Sequence, residues 1–330
     1  MSAQPVSPRL AVLRLLADGE CHSGEALAAE LGVSRAAVWK QVRGLERFDL
    51  RVDAVRGKGY RLDRPVELLD AREISAALGQ PLRRAIERLD VLEKTDSTNS
   101  VLLTGPKPAP GKLRVCLAEY QTGGRGRRGR AWLAPLGRGL CMSVDWMFAT
   151  QPQDLAGLAL AAGVVVRRAI IALTGLPVLI KWPNDLLLDV KKLGGVLVEL
   201  AAESHGPCHA VIGVGINVSA SPALLAVPGS WAGGAVDLAT ATGECAPSRN
   251  ALAAALIEAL AGLFQDYTEC GLSAYHAELT DADYLHERRV VADGVLGTAI
   301  GIGADGTLLL ETEAGVSRIL AGDVTVRPES

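Results

Sequence analysis

The stretch GGRGRRGRAW, residues 123–132, places Arg125, Arg127, Arg128 and Arg130 among Gly124, Gly126 and Gly129. Like charges this dense repel, and glycine weakens any helix or strand. Such a segment suits an anion better than it suits packing. It follows a strand-like run, RVCLAEYQT (114–122). Glycines after a strand let backbone N–H groups approach an anion. Arginines add bidentate, charge-assisted hydrogen bonds to phosphate or carboxylate. The loop is expected to order around its anion. It is not a Walker A loop, because no Gly-Lys-Ser/Thr follows at the right spacing. An arginine patch for RNA explains the run equally well, and the loop alone does not choose.

Other segments carry related chemistry. IKWPNDLLLD (180–189) reads as two strands joined by a Pro-Asn-Asp turn, with Lys181 and Asp185 on either side. VKKLGGVLVEL (190–200) starts a strand with Lys191 and Lys192 at its mouth, and Gly194-Gly195 would let a ligand lie flat. AVIGVGINVSA (210–220) is a further strand with interior glycines, which mark close approach of a ligand or another backbone. It half-matches G-x-G-x-x-G, but Val218 stands at the third glycine. Ser97, Thr98 and Asn99 follow a strand at 89–93 and suit the capping of a helix. Neither a zinc set nor a covalent nucleophile is evident. This equipment suits negative charge developing at phosphorus, as when a carboxylate joins ATP's α-phosphate and pyrophosphate leaves.

These segments need a scaffold, and the chain is long enough for two or three domains: 330 residues, 49% hydrophobic and 22% charged. The six cysteines are scattered with no C-x-x-C pair, which reads as reduced thiols in the cytoplasm. No signal-peptide pattern opens the chain, since Arg9 and Arg14 interrupt its apolar residues. The apolar stretch 155–180 is broken by Arg167-Arg168, Gly175 and Pro177. It reads as a core helix and a buried strand, with no membrane partner.

Net charge is −3, yet residues 1–65 hold 11 Lys and Arg against 8 Asp and Glu. This basic front carries helical spacing at 8–17. Ser23 then opens GEALAAELG, and Ser34 opens RAAVWKQVRGLER. Two short helices with a tight turn predict a helix-turn-helix, and LRVDAVRGKGYRL (50–62) predicts a wing with Lys58 at its tip. Ser34, Arg35, Lys40, Gln41, Arg43 and Lys58 are the candidate DNA contacts. A helical protein-interaction module with a charged face is the competing reading of the same segment.

The combination DSTN (96–99), EYQTGGRGRRGRAW (119–132), KWPNDL (181–186), KKLGGVLVEL (191–200) and GVGINV (213–218) resembles the biotin–protein ligases. With the winged helix in front, it resembles their bifunctional form, which also represses the biotin operon. The resemblance implies an α+β fold: a winged helix-turn-helix at 1–64, a central antiparallel sheet with helices, class II synthetase-like, at 65–282, and an SH3-like barrel at 283–330. It implies biotin and Mg-ATP as substrates, with no tightly held prosthetic group. The implied partners are a biotin carboxyl carrier protein, operator DNA and a second copy of the chain.

Carried over by position, Ser97, Thr98, Gln121, Gly124, Gly195, Gly213 and Gly215 would hold biotin. Arg125, Gly126 and Arg127 would cover the adenylate, and Lys192 would meet biotin's carboxylate and the phosphate. Lys181, Asn184, Asn217, Arg130 and Trp231 would face ATP or its magnesium. Ala131 departs from a frequent lysine, and FDL (48–50) from a frequent Trp-Gly before the wing. A lipoate–protein ligase, or a regulator that senses a ligand without turnover, are the alternatives.

Overall fold

A computed structural model describes residues 7–48, 50–134, 136–202, 207–219, 233–243, 245–320, 322 and 324–326. Three helices form the front. Ser7 caps α1 (Pro8–Leu16), with proline in its first turn. Ser23 caps α2 (Gly24–Leu31), which Gly32 ends in the left-handed region at φ 63°. Ser34 caps α3 (Arg35–Leu45), whose buried face carries Val38, Val42 and Leu45. Strands β1 (Val52–Val55) and β2 (Gly59–Leu62) form the wing, antiparallel, with Val55 opposite Gly59. Tyr60 also exchanges backbone hydrogen bonds with His22. That approach requires glycine at 59, where a Cβ would lie 2.0 Å from the His22 carbonyl oxygen.

The front has its own apolar cluster, including Leu13, Leu16, Val38, Leu45, Leu50 and Leu62. It is joined to the body by more than a chain. Phe48 meets Tyr120 edge-on at 4.9 Å, Arg138 pairs with Asp63 at 3.5 Å, and Ser7 hydrogen-bonds Glu93 through backbone and hydroxyl.

Short helices α4 (Ala71–Ala77) and α5 (Gln80–Ala85) lead into β3 (Ile86–Thr95). After α6 (Thr98–Thr104) come β4 (Leu113–Gln121) and β5 (Gly139–Phe148). Then α7 (Leu158–Thr174) precedes β6 (Val178–Lys181), β7 (Asp185–Leu188), β8 (Lys191–Ala202) and β9 (Cys208–Asn217). These seven strands make one sheet, ordered β3-β4-β5-β9-β8-β7-β6. The sheet is mixed rather than wholly antiparallel: β3 and β4 run parallel. Their connection through α6 and the loop after it is long enough for the crossover a parallel pair needs.

The apolar stretch expected as a core helix is α7, with Leu158, Val164, Val166 and Ile170 fully buried. It packs with α9 (Arg249–Cys270), which follows the one-turn α8 (Leu238–Ala241) and precedes α10 (His276–Ala282). Strands β10 (Arg289–Ala292), β11 (Val295–Ile302), β12 (Leu308–Thr312), β13 (Gly315–Ile319) and β14 (Val324–Val326) close the chain. They form a five-stranded antiparallel sheet where the small barrel was expected, ordered β13-β12-β11-β10-β14. Val290, Ala299, Leu308 and Leu310 belong to the same apolar core as the central sheet. Trp182 adds a polar tie, its Nε1 donating to the Gly306 carbonyl at 2.9 Å.

Candidate functional site

One cleft gathers most of the chemistry-bearing segments. It is lined by residues of α6, the end of β4, the glycine–arginine loop, the strands β5, β8 and β9, and Asn184 in the turn before β7. Of the expected site residues it brings together Ser97, Thr98, Gln121, Arg125, Gly126, Asn184, Lys192, Gly195, Gly213 and Gly215. Ser97 occupies the N-cap position of α6 but makes no side-chain cap bond, so its hydroxyl does not serve the helix. Gln121 Oε1 instead accepts the Thr98 N–H at 2.7 Å, tying α6 to β4.

The four arginines of the loop diverge. Arg125 lines the cleft and is paired with Glu199 at 3.2 Å. Arg127 donates to the Gly322 carbonyl at 3.4 Å, and Arg128 lies 3.9 Å from Asp293, so the loop also reaches the C-terminal sheet. Arg128 sits at φ 55°, a left-handed position that tightens the turn. Arg127, Arg130, Lys181 and Asn217 are not among the lining residues. The Asn217 amide donates to the Val236 carbonyl at 3.1 Å and holds backbone. Gly124 lines a separate cavity of about 220 Å³ behind the loop, with Phe48, Tyr120 and Trp132. Trp231 lies outside the described residues.

Lys192 extends from β8 and its ammonium is 2.7 Å from Asp185 Oδ1. Trp132 forms another wall, its ring centroid 5.7 Å from that ammonium. Trp132 was not among the expected site residues, although it ends the glycine–arginine stretch 123–132. Asp185 was not expected as the lysine's partner either, although the flanking charges had been noted. The glycines of β9 have a more specific reason than ligand approach. A Cβ at Gly215 would lie 2.5 Å from the Trp132 ring, and one at Gly213 2.3 Å from Asn99 Oδ1. Cys141 lines the floor, where burial pushes its thiol up to about 12, so it stays protonated and is no nucleophile. Among the described residues, no group of three His, Cys, Asp or Glu side chains is placed to hold a metal ion.

The arrangement gathers a cation beside an apolar ring, amide and hydroxyl groups, and a loop arginine in one cleft. It suits a ligand that carries polar, apolar and anionic parts. Residues 91–217 match the Biotin/lipoate A/B protein ligase family, and residues 9–61 match an HTH domain family. The chain is 37% identical to the bifunctional ligase/repressor BirA of Salmonella typhimurium, over 96% of this chain and 97% of that protein. The chain belongs to the biotin/lipoate A/B protein ligase family. BirA of Bacillus subtilis is a second relative of this family, 33% identical over 93% of this chain and 94% of its own length. The biotin protein ligase from Aquifex aeolicus, solved in complex with biotin and ATP, superposes with a TM-score of 0.62. It is 27% identical and covers 74% of this chain and 100% of its own.

The front carries the groups expected for DNA. Arg35, Lys40 and Arg43 are exposed on α3, and Lys58 is exposed at the wing tip. Gln41 is half-buried, and the Ser34 hydroxyl caps α3 by accepting from the Ala37 N–H at 3.2 Å. Trp39 is 55% exposed on the same helix, with the Arg43 guanidinium 5.9 Å from its ring centroid.

Proposed function

We propose that this chain is an ATP-dependent biotin–protein ligase and the repressor of the biotin operon. The observation that carries the reading is the convergence of Thr98, Gln121, Arg125, Trp132 and Lys192 on one cleft, within a chain matched along nearly its whole length by bifunctional ligase/repressors. Residues 1–64 serve as the DNA-binding head, 65–282 as the catalytic domain and 283–330 as the C-terminal domain.

In the first step a carboxylate oxygen of biotin attacks the α-phosphorus of Mg-ATP. Pyrophosphate leaves, and the mixed anhydride biotinyl-5′-AMP remains. Ser97, Thr98 and Gln121 hold the bicyclic head of biotin, and Trp132 packs on its apolar part. Lys192 stabilises charge that grows on the α-phosphate oxygens, an interaction stronger in the transition state than before it. Asn184 faces the nucleotide, and magnesium arrives with the triphosphate. In the second step an acceptor lysine amine of a biotin carboxyl carrier protein attacks the acyl carbon, and AMP leaves. Until then Arg125, Gly126 and Arg127 keep water from the anhydride. Through Arg35, Lys40, Gln41, Arg43 and Lys58 the head meets operator DNA, in the cytoplasm and as a homodimer.

Biotin-dependent exchange of pyrophosphate into ATP tests the first step. Exchange with lipoate in place of biotin, or binding of biotin without exchange, would assign the chain to one of the two alternatives.

A further inference from the structure

A chain of side chains runs beneath the cleft, and its protons can be placed by counting. Asn99 Nδ2 lies 2.7 Å from Glu199 Oε2 and 3.4 Å from the Leu197 carbonyl oxygen. Both neighbours only accept, so the amide nitrogen must face them and Asn99 Oδ1 must face Ser143. That oxygen carries no proton, so the Ser143 hydroxyl, 2.6 Å away, donates to it. A serine hydroxyl has one proton. Thr98 Oγ1, 2.7 Å from Ser143 Oγ, therefore donates to Ser143.

The single proton of Thr98 is then directed away from the cleft. It cannot also serve Gln121 Oε1, which lies 3.1 Å from Thr98 Oγ1 and already accepts the Thr98 N–H. Two oxygens thus face each other at the cleft wall with lone pairs and no proton between them. A donor from a ligand relieves that repulsion, and an acceptor there worsens it.

The opposite order would need Asn99 Oδ1 against the Glu199 carboxylate, which repels it. The charge of Glu199 therefore sets the direction of the chain. Gly213 protects it, because a Cβ there would strike Asn99 Oδ1. Glu199 and Ser143 are not among the residues lining the cleft. We propose that Glu199 and Ser143 are positioning residues that fix the proton order Thr98→Ser143→Asn99, so that the cleft selects a ligand donating an N–H at Thr98. The inference rests on the biotin reading of the cleft, since biotin's ureido ring carries two N–H donors.

The test compares biotin with its isosteric cyclic carbamate, in which one ring N–H is an oxygen. Binding of each is measured calorimetrically to the full-length chain and to Ser143→Ala and Glu199→Gln. The native protein should prefer biotin by roughly a hundredfold or more. Each variant should lower that preference to about tenfold or less, with biotin KM rising about tenfold and kcat changing far less. Glu199→Gln preserves shape and lets the Asn99 amide turn either way, and Ser143→Ala cuts the chain without touching Arg125. Either variant alone suffices, so misfolding of one leaves the other decisive. Retention of the native preference by a folded variant overturns the proton order while leaving biotin-dependent exchange intact. A native chain that neither binds biotin nor supports exchange overturns the biotin reading and this inference with it.

Discussion

Lys192 and Asp185 sit on adjacent strands with ammonium and carboxylate 2.7 Å apart, at the wall of the cleft. The pair keeps the lysine extended beside Trp132 rather than free in solvent. Lys192→Ala should lower biotin-dependent pyrophosphate exchange roughly 100-fold or more, because the cation acts mainly on the transition state. Asp185→Asn retains the cation but releases it, and should cost less than Lys192→Ala. Native exchange rates in purified Lys192→Ala would remove the lysine from the reaction.

Arg127 links the loop to the Gly322 carbonyl. In Arg127→Gly the adenylate should still form but escape. Mass spectrometry should then find biotin on lysines of bystander proteins. Labelling confined to the carrier would give the loop another task.

Asp305 is held down at about 2, first by the Thr307 hydroxyl, then by the Thr307 N–H and the Arg318 guanidinium. A carboxyl depressed in the fold stabilises it above the ordinary value of 3.8, and that contribution fades as pH falls towards 2. Asp305→Asn should therefore melt earlier than the native chain at pH 6, and the gap should close as the scans approach pH 2. An equal gap at both ends would mean the turn does not depend on the charge.

The head and the loop share a neighbour: Phe48 packs on Tyr120, next to Gln121 at the end of β4. Biotinyl-5′-AMP is expected to favour the homodimer and tighten operator binding, with a coupling of roughly 1–3 kcal/mol. Phe48→Ala should weaken that coupling while exchange continues. Sedimentation and operator binding with and without the adenylate, at fixed salt because phosphate contacts are salt-dependent, measure it. Equal mass and equal affinity in both states would leave the head uncoupled.

The glycine–arginine loop and the KWPND turn were legible because each packs its chemistry into one short segment. The helix-turn-helix was legible through Ser23, Gly32 and Ser34, whose cap roles are local. The parallel pairing of β3 with β4 was not, because strand periodicity is the same in either direction. The partners beneath the cleft were hidden for a different reason. Ser143 and Glu199 lie in β5 and β8, far from Asn99 in sequence, and each reads alone as an ordinary polar residue of a strand. Asp145, Arg114 and His209 form a buried cluster by the same kind of convergence, with Asp145 accepting from both partners. Interior glycines at 213 and 215 read as room for a ligand or another backbone, but in the folded chain it is the Asn99 and Trp132 side chains that press on them.

The segment between head and body interleaves the two. Val66 belongs to the apolar cluster of the head and Leu69 to that of the body. Between them the Glu67 carboxylate takes up the Arg249 and Asn250 backbone N–H groups, and the Glu67 carbonyl accepts from Arg249 Nη1 at 2.7 Å. Arg249 in turn pairs at 2.9 Å with Glu119, two residues before Gln121 on β4. A chimera that grafts this head onto another ligase thus has no clean seam at residue 64. The graft must bring residues 65–69 together with matching receptors for them on both sides, or the transplanted reader will be aimed at DNA by a different machine.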